Sequence, residues 1–292
     1  MELHEGTPAA AGLDSGRLDR AYSLLARWAR DGRVAGSAVA VARNGVMVPT
    51  RGFGVCADAA GTGTVAVAPD SVFLVASVTK PVTATALMLL VERGLVALGD
   101  RVRDWVPEFA GDERDEVLLL HLLTHTSGLP DMLPENVSLR QRHAPLSAFI
   151  EGTCRCRLLF RPGTQVRYQS MGIALAGEIV ARVSGTPLGE FVAREICAPL
   201  GMRSTALGIR TDLLPRLAAV RLPAEQENTD WHWNTPYWRE LGAPWGGMFA
   251  TVEDLLILLQ TFLDGGTYAG RRLLGRNTTA AMIADQTSRL PA

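Results

Sequence analysis

The sequence predicts an α+β fold in which a small antiparallel sheet, fed by an N-terminal hairpin, precedes a long helical region. Two observations carry this. Residues 37–42 (Ser-Ala-Val-Ala-Val-Ala) and 46–55 read as strands on either side of Asn44-Gly45. That dipeptide suits a two-residue hairpin turn because both central positions take positive φ. From Ser77 onward the apolar spacing turns helical, and successive segments stop on glycine.

The elements follow in order. Residues 13–31 form an amphipathic helix, with Asp14 or Ser15 able to cap it and Leu18, Leu25 and Trp28 on one stripe flanked by Ala21 and Leu24. Gly32 and Gly36 close it. After the hairpin, residues 57–68 are rich in Gly, Ala and Thr and read as a loop or weak edge. Residues 77–93 make an apolar helix stopped by Gly94. Residues 116–123 make a short helix, and 171–183 a longer one with Gly185 behind it. Residues 187–196 follow, with Thr186 as N-cap and Pro187 at the first helical position. Residues 251–263 open on Thr-Val-Glu-Asp, close to a capping box, and stop at Gly265-Gly266. Two strands do not make a stable sheet alone, so further strands must come from elsewhere in the chain or beyond it. There is no internal repeat and no low-complexity segment.

Composition bounds the function. The 292 residues are 47% hydrophobic and 20% charged, which is ordinary for a globular chain. With 29 basic and 30 acidic residues the net charge is −1. That balance, without a basic run, gives no electrostatic case for nucleic acid or an anionic membrane. The longest apolar stretch, residues 82–91, is too short to span a bilayer. The start Met1-Glu-Leu-His-Glu carries acids and no apolar core, so it does not read as a secretory signal. A cytoplasmic location is expected unless a leader was trimmed. The four cysteines, Cys56, Cys154, Cys156 and Cys197, read as reduced and mostly buried, and Cys154-Arg-Cys156 is too tightly spaced for a zinc knuckle.

One count stands apart. Of the 29 basic residues 28 are arginine, and the single lysine is Lys80. A compositional bias explains the arginines and not the exception. Arginine stays protonated, whereas a buried lysine can shed its proton and act as a base. Lys80 lies in Ser77-Val-Thr-Lys80-Pro81. Proline is tolerated only near a helix start, so the helix begins close to Ser77, which puts its hydroxyl at the positive end of the helix dipole. Residues i and i+3 share a helix face. A serine needs a neighbouring base to become a nucleophile, and a desolvated lysine one turn away can supply it. The competing reading is a capping serine beside a solvated lysine.

At these residues the chain resembles the serine β-lactamase-like hydrolases: class C β-lactamases, DD-peptidases and their esterase and acyltransferase relatives. Ser77-Val-Thr-Lys80-Pro81 resembles the nucleophile motif. Leu122-Leu-Thr-His125-Thr-Ser-Gly-Leu-Pro130 resembles the His-Thr-Ser-Gly-Leu segment, and Phe160-Arg-Pro162-Gly163 leading to Tyr168-Gln-Ser170 resembles Pro-Gly followed by Tyr-x-Asn. Pro199-Leu-Gly-Met202 and Gly246-Gly247-Met-Phe-Ala-Thr-Val-Glu-Asp254-Leu are also family-like. The resemblance implies one β-lactamase-related domain over 1–292. In it an antiparallel sheet flanked by helices (13–75 and 247–292) meets a mostly helical subdomain (76–246). It implies Ser77 as the nucleophile that forms the acyl-enzyme. Lys80 then lowers the cost of deprotonating it, and Tyr168 is the phenol that relays the proton and protonates the leaving group. Either Lys80 or Tyr168 serves as the base. No metal or cofactor is implied, and the partner is a small-molecule acyl substrate.

Three departures shape the expected substrate. Ser170 stands where the family has Asn, whose amide donates to the acyl-amide carbonyl of the substrate; a shorter hydroxyl suits a simple ester. The last motif, Lys/His-x-Gly, is absent, since no lysine follows Lys80 and His232 precedes Trp233-Asn234. Trp245-Gly246-Gly247 either substitutes for it or is the Gly-Gly segment before the next helix, the reading favoured by Thr251 to Asp254 directly after. Finally, the chain stops at Ala292 after a helix-like stretch, where the family continues with strands and a final helix. The expectation is a fragment, half of a split protein or a shortened member, with a C-terminal segment or second chain completing the sheet. A non-catalytic binding relative is the reading of another class, resting on the missing motif.

Other candidates are weaker. His121 and His125 have an i,i+4 spacing that suits zinc, but no third ligand follows, and positioning a turn is the plainer role. Trp231, Trp233, Trp238 and Trp245 fall within 15 residues. They serve as the packing of a loop or as an apolar wall for an acyl group, with Trp233, Trp245, Gly246, Gly247 and Ser170 taken as substrate-binding. Arg155, Arg157 and Arg161 read as a solvated face.

Overall fold

The computed structural model describes residues 1–291. The hairpin forms as its turn chemistry predicts. β1 (His4–Glu5) precedes α1 (Ser15–Arg30), and then β2 (Gly36–Arg43) and β3 (Val46–Ala57) pair antiparallel around Asn44 and Gly45, at φ 55° and 79°. β1 pairs parallel to one end of β3, and β4 (Thr64–Ala66) antiparallel to the other. All four strands of this sheet thus come from residues 4–66, and the 57–68 segment supplies one of them. Among the described residues β2 has a hydrogen-bonded neighbour on one edge only. Helix α1 starts where Asp14 accepts from Arg17 N at 2.7 Å, and its Tyr22 ring lies 6.0 Å from that of Phe53 on β3.

A second sheet is built from distant short strands. β5 (Phe73–Leu74), β6 (Ala206–Leu207) and β7 (Met248–Ala250) pair antiparallel with β7 in the middle. β8 (Thr267–Tyr268) and β9 (Arg271–Arg272) form a separate small ladder. The helical region runs through α2 (Thr79–Glu92), α3 (Val102–Trp105), α4 (Leu119–Leu123), α5 (Asn136–Gln141), α6 (Leu146–Arg155) and α7 (Met171–Ser184). It continues through α8 (Leu188–Val192), α9 (Ala198–Leu200), α10 (Pro236–Leu241), α11 (Val252–Leu263) and α12 (Arg276–Ile283).

The core centres on α2 and α7, which are apolar round most of their circumference and buried along most of it. Val82, Ala86, Leu87 and Leu90 of α2 meet Met171, Leu175 and Ile179 of α7, with Leu119 and Leu122 of α4 and Phe149 of α6 filling in. Helix α11 lies against β2. Its N-cap Thr251 accepts from Asp254 N at 3.3 Å, and Thr50 of β3 donates to its Glu253 at 2.8 Å.

Several boundaries differ from expectation for local reasons. Residues 116–123 split into a 3₁₀ turn (Asp112–Glu116) and α4, because Leu118 is extended and bridges to Arg101. The expected N-cap Thr186 does not cap: Pro187 is extended at ψ 139°, so helix begins at Leu188 and Pro187 is the cap position. A π turn (Ala193–Cys197) then interrupts the segment before α9. Helices α3, α5, α6, α9 and α10 lie outside the expected helical segments, although Thr235-Pro236 at the start of α10 is a cap followed by a first-turn proline, and α12 is the helix-like stretch expected near the C-terminus.

Among the described residues no helix is long and apolar enough to cross a membrane. All four cysteines are free. Burial pushes the Cys154 and Cys156 thiols up to about 11 and Cys197 to about 12, which keeps them protonated and unreactive at neutral pH.

Candidate active site

The chain leaves β5 with Val75 N donating to Met248 O at 2.9 Å, then turns at Ala76, whose φ of 46° is left-handed for a residue with a Cβ. Ser77 follows on a 3₁₀ turn (Ala76–Val78) that runs directly into α2. Such a backbone conformation costs on the order of 1–3 kcal/mol and persists where surrounding contacts over-determine it. Here the clamp is Thr79, which donates to Ala76 O at 2.6 Å and accepts from Met248 N at 3.1 Å. The strained turn presents the Ser77 hydroxyl at the surface of a cavity.

Lys80 sits on the buried side of the same turn and is 6% exposed. Its Nζ donates to Ser77 Oγ at 2.9 Å and to the carbonyl of Trp245 at 2.9 Å, and lies 4.7 Å from the centroid of the Tyr168 ring. Tyr168 Oη donates to Ser77 Oγ at 2.7 Å. Three side chains read as a constellation from 91 residues of sequence separation therefore meet at one oxygen. Tyr168 is 48% exposed, so its ring lies at the cavity and not in the core.

Tyr168 is held by its neighbours. Gln169, fully buried, donates from Nε2 to the carbonyls of His121 and Leu122 at 3.1 and 3.2 Å, and its Oε1 accepts from Ser127 Oγ. The His125 ring lies 4.9 Å from the Tyr168 ring, and His125 itself takes φ 59°. Burial, and then the nearby Lys80, hold the His125 imidazole below the ordinary histidine value. His121 is lowered by burial as well. The Nδ1 atoms of both rings accept backbone N–H groups, from Leu118 at 3.1 Å and Gln169 at 3.3 Å. The zinc spacing of this pair is thus used for turn geometry, and no group of three metal-ligating side chains occurs among the described residues.

Ser170 is buried at the start of α7, with its hydroxyl donating to Asp131 Oδ1 at 2.6 Å. Trp245 is 2% exposed, and Gly246 lies beside the Ser77 turn, where a Cβ would make ordinary van der Waals contact with the Ala76 carbonyl carbon at 3.8 Å. A Cβ on Gly247 would come 2.4 Å from Ala243 N, too near for any side chain. Trp245-Gly246-Gly247 therefore forms the entry to β7 ahead of α11, the second of its two readings. A cavity of about 340 Å³ is lined by Ser77, Tyr168, Ser170, Trp233, Trp245 and Gly246, joined by Asp131, Arg140 and Trp238. Gly247 lies behind this wall.

Sequence reasoning missed Gln169, Asp131 and Arg140. Asp131 directly follows Pro130, so proximity to a motif was a usable signal. Arg140 is one of 28 arginines and had none.

A family model described as Beta-lactamase matches residues 18–291. Esterase EstB of Burkholderia gladioli is 34% identical over 212 residues, which cover 67% of this chain and 53% of the esterase. The crystal structure of a penicillin-binding protein homologue from Caulobacter crescentus superposes with a TM-score of 0.75 at 26% identity, covering 93% of this chain and 77% of that one. D-amino acid amidase from Ochrobactrum anthropi SV3 gives 0.70 at 26% identity, covering 88% and 72%. The chain spans 51% to 60% of the length of the curated relatives it matches.

Proposed function

The chain belongs to the beta-lactamase family and has the β-lactamase/DD-peptidase-like fold, and on that premise we propose that it is a serine hydrolase acting on an ester or activated acyl group through an acyl-enzyme on Ser77. The observation that carries this reading is the convergence of Lys80 Nζ and Tyr168 Oη on Ser77 Oγ, at 2.9 and 2.7 Å. Both distances allow the serine proton to leave as the oxygen attacks.

In this mechanism one of the pair is unprotonated, a neutral Lys80 amine or a Tyr168 phenolate stabilised by the Lys80 ammonium, and Ser77 Oγ bonds to the substrate carbonyl carbon while its proton passes to that group. The tetrahedral intermediate collapses, the carbon–oxygen bond to the leaving group breaks, and the departing alkoxide takes that proton back. Water, or an alcohol or amine acceptor in an acyltransferase, then attacks the acyl-enzyme. The same pair removes the attacking proton and returns one to Ser77. The Trp245 carbonyl fixes the lysine amine for both halves.

An ester suits the site better than a β-lactam or peptide. The hydroxyl of Ser170, where the family carries Asn, is already spent on Asp131 and is not free to donate to a substrate amide. The esterase relative supports the same choice. Comparing p-nitrophenyl butyrate with a chromogenic cephalosporin tests it. Turnover of the ester with little or none of the cephalosporin is expected, and the reverse order overturns the esterase reading. A cytoplasmic setting accords with four unpaired thiols and is tested by fractionation. The single-sided edge of β2 is where a strand from a C-terminal segment or a second chain would extend the sheet.

A further inference from the structure

One residue lining the cavity beside Ser77 is a buried guanidinium without a counter-charge. Arg140 on α5 is 7% exposed. Its guanidinium carbon lies 4.5 Å from the Trp238 ring, 4.8 Å from Trp231 and 6.0 Å from Trp233. Nη2 donates to the Trp231 carbonyl at 2.9 Å, while Nε is buried with no hydrogen-bond partner. Among the described residues no carboxylate forms an ion pair with Arg140. The indole N–H groups of Trp238 and Trp245, on residues of the same cavity wall, are also buried without partners.

A buried guanidinium with no counter-charge carries a desolvation cost, and unpartnered buried donors add to it. An anionic occupant beside the guanidinium would supply the missing counter-charge. Polarity along the cavity fixes which end it presents. Half-exposed Tyr168 lies at the mouth, so a leaving group protonated there departs to solvent. The nine-tenths-buried side, with Arg140, Trp238 and Trp245, receives the acyl portion. Asp131, exposed and engaged by Ser170, repels an anion from the outer part of the cavity.

We infer that the acyl group of the substrate ends in a carboxylate, held by the Arg140 guanidinium within its box of indoles. This rests on the reading of Ser77 as the nucleophile. Hydrogen bonds to charged groups contribute enough to discriminate by about tenfold or more.

The test compares kcat/KM for the p-nitrophenyl monoester of glutarate with that for p-nitrophenyl pentanoate, a neutral ester of equal chain length. The wild-type protein is expected to favour the anionic ester by about tenfold or more. In Arg140→Gln the ratio falls to near parity, and Arg140→Lys keeps part of it. Equal rates in the wild type, or a preference that survives in both variants, overturns the inference, as it would if Arg140 only staples the tryptophan loop. Calorimetric titration with free glutarate separates this inference from the one beneath it and needs no variant at Arg140. Binding to Ser77→Ala upholds the anion site whatever becomes of the nucleophile. Turnover of the neutral ester without glutarate binding upholds the nucleophile and rejects the site.

Discussion

Lys80 holds a position that a guanidinium cannot fill in the same way. Its amine fits between two acceptors, each 2.9 Å away, under the face of Tyr168. An arginine would bring a planar fork that stays protonated at any working pH. Lys80→Arg is expected to lower kcat for ester hydrolysis about 10²–10⁴-fold with a smaller effect on KM, as steady-state kinetics would show. The lysine was legible because it is the only one in the chain and stands three residues from Ser77. Its second acceptor was not, because any residue supplies a backbone carbonyl and Trp245 lies 165 positions away. Arg140 was illegible for the opposite reason: its residue type is everywhere in this composition, and only packing shows which copies are buried without a counter-charge.

Elements hold these residues still. The Tyr168-Gln169-Ser170 segment is pinned to the His121–Ser127 turn through Gln169, whose buried amide meets two carbonyls and a hydroxyl. Gln169→Leu leaves those groups unpartnered, at about 1–3 kcal/mol each. A lower melting temperature and a reduced kcat are expected, since Tyr168 loses its anchor; unchanged values of both would show that the amide is dispensable. His125 supplies a pH dependence. Its folded-state value lies below the unfolded one, so the unfolded chain binds the extra proton more readily. Stability from this group is therefore full above the ordinary histidine range, near 6.5, and is lost as pH falls below it. His125→Asn, which tolerates the same left-handed φ, should flatten the fall in melting temperature between pH 7 and 5. Helix stops and the hairpin turn were readable because glycine, asparagine and proline act locally. The break at Leu118 was not, because an extended residue inside an apolar run is imposed by what it pairs with, here Arg101.

At the scale of the molecule, residues 77–80, 168 and 245 converge because α2 and α7 are buried against each other and β7 threads between β5 and β6. The second sheet was hidden from the sequence: its strands are two or three residues long and come from three distant segments. Gly247→Ala strikes at that junction, since its Cβ meets Ala243 N at 2.4 Å, and a loss of about 1–3 kcal/mol is expected in denaturant unfolding. The open edge of β2 makes a further prediction. If a strand joins there, the outward amides of residues 36–43 resist hydrogen exchange in the native protein as well as those paired to β3. Fast exchange at the outward set would leave the edge bare. The convergence itself is tested most directly by reacting the protein with a fluorophosphonate and locating the adduct by peptide mass spectrometry. A single adduct on Ser77, formed about 10²–10⁴-fold more slowly in Lys80→Arg, is the expected result. An adduct on another serine, or full-rate labelling of Ser77 without the lysine, would contradict it.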